Sequence, residues 1–155
     1  MAIRTRISAL MLIALLPGCA SWPSWHLGSS AQEGNYSDAS QVVSAQLAAD
    51  AFKRLADLYP PAQTTITFRS RTPDPFGQAL AQNLRLAGFA VQQTISKDPL
   101  LSPVGGIALS YLVATMGTQE YRVTIDVDGT SFSRAYVNTP QGLASASFWT
   151  QRGDE

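Results

Sequence analysis

One residue has both the type and the setting for a covalent reaction: Cys19, the only cysteine of the chain. It follows Leu16-Pro17-Gly18, and behind these lie Arg4, Arg6 and an apolar run from Ile7 to Leu16. Early positive charge, a short apolar stretch and a small residue at the cut form the layout of a bacterial secretory signal peptide. A cysteine directly after the small residue is the acceptor that lipoprotein processing needs. Its thiol would take a diacylglyceryl group, cleavage would free its amine, and the amine would be acylated. Leu16 and Gly18 are then the recognition residues, and no cofactor is expected beyond this covalent lipid. Two other readings compete. One is a plain cleavable signal with a chance cysteine; Pro17 speaks for it, since lipoprotein signals more often carry Ala or Ser there. The other is a membrane anchor, which needs about 20 apolar residues, more than this run supplies.

Elsewhere the residues that could do chemistry are sparse. His26 is the only histidine and stands in the segment just after Cys19, so a Ser-His-Asp triad would have to draw on a tail residue. No multi-cysteine metal site can be built from one cysteine, and no metal is expected. Asp126 and Asp128 are two apart on a strand, but Asp128-Gly129 is a turn pair that explains the second carboxylate. Gly105-Gly106 lacks the spacing and the following helix of a phosphate loop. Lys+Arg and Asp+Glu both number 11, and loss of Arg4 and Arg6 leaves 9 against 11, or −2. That balance argues against a nucleic-acid partner.

The elements that must position the remaining residues follow from pattern. Residues 1–18 read as the signal peptide and 19–37 as the lipidated N-terminus and a linker without helical or strand period. Trp22 and Trp25 in that linker suit the headgroup zone of a membrane. Residues 38–152 read as a single periplasmic α+β domain. A helix is expected over 39–59, capped by Ser37 or Asp38, with Val43, Leu47, Ala51 and Leu55 inward and Lys53, Arg54 and Asp57 on the wet side. Pro60-Pro61 ends it. A strand over 63–69 follows, with Arg69-Ser70-Arg71 as its solvated end. Asp74-Pro75 opens a second helix with Phe76, Leu80, Leu84 and Ala87 inward, and Gly88 is its left-handed stop. Strands are expected at 89–95 and 107–113, then a turn over 116–119.

The clearest signal is a hairpin from Tyr121 to Val137 around Asp128-Gly129. Its register sets Val127 against Thr130, Ile125 against Phe132, Val123 against Arg134 and Tyr121 against Tyr136. Arg134 then points into an apolar face. Three readings follow: a bulge shifts the register, the stem packs at the sheet margin with its head in water, or it meets a carboxylate here or on a partner chain. A last strand is expected at 143–150, ending in Phe148-Trp149. The fold class is thus α+β, a small mixed or antiparallel sheet with two helices, running α-β-α-β-β-β-β to the end of the hairpin. The strand at 107–113 or the last strand is expected at an edge, where a partner strand could add.

Several stretches in order resemble the TrbH family of lipoproteins from Trb mating-pair-formation systems. They are Leu58-Tyr59-Pro60-Pro61-Ala62, Asp74-Pro75-Phe76-Gly77, Tyr121-Arg122-Val123-Thr124, Ser133-Arg134-Ala135-Tyr136 and Trp149, behind the cysteine signal. The resemblance implies a non-enzymatic outer-membrane lipoprotein of a conjugative type IV secretion core, in a ring-shaped hetero-oligomer with TrbG-like and TrbI-like proteins. Ala20 after the cysteine is the type of residue that permits export to the outer membrane. Arg134, Tyr136 and Trp149 are the expected partner interface. By fold-level analogy the α+β unit is similar to secretin-type N-domains. The alternatives are a periplasmic pilot lipoprotein that binds another envelope protein, and a cell-envelope hydrolase, against which the scattered carboxylates count.

Overall fold

The computed structural model describes residues 33–93 and 105–153. Leu16, Gly18, Cys19, Trp22, Trp25, His26, residues 94–104 with Ile95 and the loop expected at 97–104, and Asp154-Glu155 lie outside them. In chain order the elements are β1 (Gly34–Tyr36), α1 (Gln41–Leu58), β2 (Thr65–Phe68), α2 (Pro75–Leu86), β3 (Ala90–Gln93), β4 (Ile107–Gly117), β5 (Glu120–Val127), β6 (Thr130–Thr139), β7 (Gly142–Ser145) and β8 (Thr150–Arg152). A 3-10 turn at Pro61–Gln63 joins α1 to β2.

The β5–β6 hairpin has the register its alternation predicts, from Val127 opposite Thr130 to Tyr121 opposite Tyr136. Asp128 and Gly129 both take positive φ, 48° and 84°, as a two-residue turn matched to strand twist requires. Asp128 is further tied to β4, its carboxylate accepting from the Ala108 amide at 2.8 Å. Tyr121, Val123, Ile125 and Val127 all point inward and are buried. One face of the sheet therefore closes on α1 and α2, and the other is open.

The sheet is mixed, in the order β3-β2-β4-β5-β6-β7. β2 lies parallel to both β3 and β4, while β4 to β7 run antiparallel. Several expectations need correction. β4 is interior, since β2 and β1 share one of its edges and β5 holds the other. It also runs on to Gly117, so the turn is confined to Thr118-Gln119, where Gln119 has φ 60°. The end of the linker is not patternless: Gly34–Tyr36 pairs in parallel with Leu112–Ala114. The last strand is two, β7 and β8, both on β6, because the chain bulges outward over 146–149 and leaves Phe148 89% exposed. β8 then takes in Arg152, the last residue of the expected domain.

The helices keep their stripes but change their ends. Ser40, not Ser37 or Asp38, caps α1, accepting from the Val43 amide at 3.3 Å. Ser37 is bound to Asn35, and Asp38 exchanges hydrogen bonds with Thr115 on β4. Both are thus spent on β1 and β4 rather than on the helix. Tyr59 leaves α1 in extended conformation, as a residue before proline must. In α2, Asp74 caps and Pro75 takes the first position as expected, and Gly88 stops it at φ 94°. Ala87 is the exposed cap residue, and Ala81 takes the buried place instead. Leu47, Leu55, Phe76, Leu80, Leu84, Ile66, Phe68 and Leu109 are almost wholly withdrawn from water. Each such side chain contributes about 1.5–3 kcal/mol.

Candidate functional site

Arg134 resolves the three readings left open by its register. Its Nη1 is 2.8 Å from an Asp50 carboxylate oxygen, so it meets a carboxylate within its own chain. Its Nε donates to the Ser147 carbonyl at 2.9 Å. The same Asp50 oxygen accepts the Tyr136 hydroxyl at 2.7 Å. The Arg134 guanidinium carbon lies 5.7 Å from the Tyr136 ring centre and 6.0 Å from that of Trp149. Arg134, Tyr136 and Trp149 thus do come together, and the unforeseen fourth member is Asp50. It sits seven residues after Val43 and three after Leu47, so helical spacing places it on the flank of the apolar stripe. Arg54 continues that flank and lies over the Phe132 ring at 5.0 Å, half-buried rather than on the wet side. A notch of about 340 Å³ between α1 and β7 opens onto Asp50 and Tyr136.

A second tyrosine–carboxylate bond ties the other helix to the sheet. The Tyr111 hydroxyl on β4 donates to Asp74, whose other oxygen accepts from the Gly77 amide at 2.9 Å. Tyr111 also packs on Phe76, ring centres 5.0 Å apart, and edge-on to Phe68 at 6.4 Å. A Cβ added to Gly77 would sit 2.8 Å from Tyr111 Cζ and 2.7 Å from Thr72 Cβ. The stretch Asp74-Pro75-Phe76-Gly77 is therefore a joint: cap, helix start, core residue and clearance for Tyr111.

These groups hold protons rather than move them. Burial first, then the hydrogen bond to Asp50 and its charge, push the Tyr136 hydroxyl far above a tyrosine's usual range, with Arg134 pulling weakly the other way. Tyr111 is raised by burial and by Asp74 in the same order. An unfolded tyrosine ionises at about pH 10. The folded state keeps both protons there, so stability is complete below that pH and falls as pH rises past it. Urea melts at about pH 8 and about pH 11 are expected to show the loss, and equal midpoints would mean that neither bond holds in the folded chain.

Other sequence candidates have structural roles. Asp126 pairs with Arg69 at 3.7 Å and accepts from the Gly129 amide at 3.4 Å. Arg69 is thus half of a loose surface ion pair, which contributes little. No group of three metal-capable side chains occurs among the described residues. No helix among the described residues is long and apolar enough to cross a membrane.

A family model described as conjugal transfer protein TrbH matches residues 29–153. The chain belongs to the TrbH family. That match spans every element from β1 to β8, including both tyrosine–carboxylate joints. No curated protein and no solved structure matches the chain.

Proposed function

We propose that this TrbH-family protein is an outer-membrane lipoprotein, anchored through Cys19, and a structural, non-enzymatic part of the core complex of a conjugative type IV secretion system. The observation that carries the reading is the TrbH match over residues 29–153. The chain's own chemistry is in keeping with it. Cys19 follows a signal-peptide pattern, and the clustered polar groups at Asp50, Arg134 and Tyr136 are bound to one another. Such a cluster stiffens a domain rather than turning over a substrate. TrbG-like and TrbI-like proteins are the proposed partners in a ring-shaped assembly. Of the proposed interface residues, Tyr136 is buried under α1, so Trp149 with the exposed Phe148 offers the contact surface and Arg134 orients it.

Cys19→Ser is expected to abolish labelling by a fatty-acid analogue. Mating frequency is expected to fall about a hundredfold or more, the scale of the effective concentration that a tether supplies. A labelled mutant, or full transfer without label, would overturn the anchor. Capture of TrbG-like and TrbI-like proteins with the full-length chain from membranes of a mating strain tests the partners. Their absence from a capture that retains the bait would count against the core assignment.

A further inference from the structure

No helix among the described residues lies over the open face of the sheet, and at its β8 end this face forms a basin of about 600 Å³. The floor is hydroxyls: Thr124 on β5, Ser131 and Ser133 on β6, and Thr150 on β8, with Thr124 and Ser133 3.2 Å apart. Arg122 and Arg152 stand at opposite ends, and no carboxylate among the described residues lines the basin. Neither arginine has an ion-pair partner among the described residues. The nearby acids among the described residues are turned elsewhere: Asp126 to Arg69, and Glu120 over Gly117, where its Oε2 would meet a Cβ at 2.9 Å.

We propose that this face binds an extended, acidic protein segment. Register gives the spacing. Arg122 lies opposite Ala135 and Arg152 opposite Ser131, four residues apart along β6, with β6 itself between β5 and β8. That places the Cα atoms of the two arginines about 13 Å apart along the strand and about 10 Å across it, about 16 Å in all. Acidic side chains at i and i+4 of an extended segment share a face about 13 Å apart, and the long arginine stems can span the few remaining ångströms. Arginine offers a planar fork that suits carboxylates, and the hydroxyl floor can bond the backbone groups an extended chain leaves free. No aromatic side chain among the described residues lines the basin, and a sugar ring would stack on such a surface. The inference names a partner chemistry for the domain and does not depend on lipidation or on membership of a secretion core.

The probe is a fluorescein-labelled peptide of alternating Thr and Val with Glu at two positions four apart. Its anisotropy is followed with the full-length chain in detergent. Saturable binding is expected, weakened about tenfold or more in R122Q/R152Q and by raised salt, with unchanged thermal melts of the variant. The peptide with Gln for Glu should not bind. Absence of saturable binding, or equal binding by the double variant, would overturn the proposal. So would vesicles rich in phosphatidylglycerol that bind where the peptide does not and lose binding in the same variant, since the face would then be a membrane surface.

Discussion

Gly77→Ala is expected to destabilise the domain by about 3 kcal/mol, although the same exchange in an exposed helix is stabilising by up to about 1 kcal/mol. The sign is set by what lies above the glycine. The Tyr111 ring crosses Gly77 to bring its hydroxyl to Asp74, and Thr72 closes the other side. A methyl group must therefore push Tyr111 away. Overpacking costs about 1–3 kcal/mol, and loss of a hydrogen bond to a charged group about 1.5–3 kcal/mol. Urea denaturation measures the sum, and a melting temperature lower by roughly 10 °C should accompany it. Gly88→Ala is the comparison: nothing stands within 4 Å of its Cβ, so only the left-handed backbone, φ 94°, is penalised. About 1 kcal/mol is expected there. Equal effects at the two glycines would show that Tyr111 does not need the space.

Asp50→Ala is expected to cost about 2–4 kcal/mol, because it strands two groups at once. The Arg134 side chain is only 19% exposed and would keep just the Ser147 carbonyl, while the buried Tyr136 hydroxyl would lose its acceptor. Asp50→Asn keeps an acceptor of similar shape and should cost about half as much. Adding Arg134→Met to Asp50→Ala should recover part of the loss, since an unpaired charge is no longer held in a largely dry seam. Additive single effects would mean that the two residues do not act as a pair. An Asp50→Ala domain as stable as the parent would mean that α1 is held by its apolar stripe alone.

Both experiments concern contacts that sequence reading only half exposed. The hairpin could be read residue by residue, because Asp128-Gly129 sets a two-residue turn and a period of two leaves one register. That register placed Arg134 on an apolar face and so asked for a carboxylate. It could not say which, for Asp50 is 84 residues away and looks, on its own helix, like a flanking polar position. Arg54 was misplaced for a related reason: a long stem allows a charged head to lie on an aromatic ring, and helical position alone does not reveal it. Asp74 was legible as a cap, yet its second bond, to Tyr111, joins elements 37 residues apart. The last strand does lie at an edge, but β4 does not, because it gains neighbours on one side from two separate segments, one of them in the linker.

The sequence by itself determined the local events: where the helices stop, how the second one starts, which side chains alternate inward, how the hairpin turns, and that Cys19 stands where a lipid could be attached. These depend on backbone preference and on neighbours a few residues apart. Only the tertiary structure decided that Asp50, Arg134, Tyr136 and Trp149 share one seam, that Gly77 must be small, and that Arg122 and Arg152 face one hydroxyl-floored basin. Such facts depend on which distant surfaces meet once the apolar faces of two helices and a sheet are withdrawn from water, and no local rule fixes that choice.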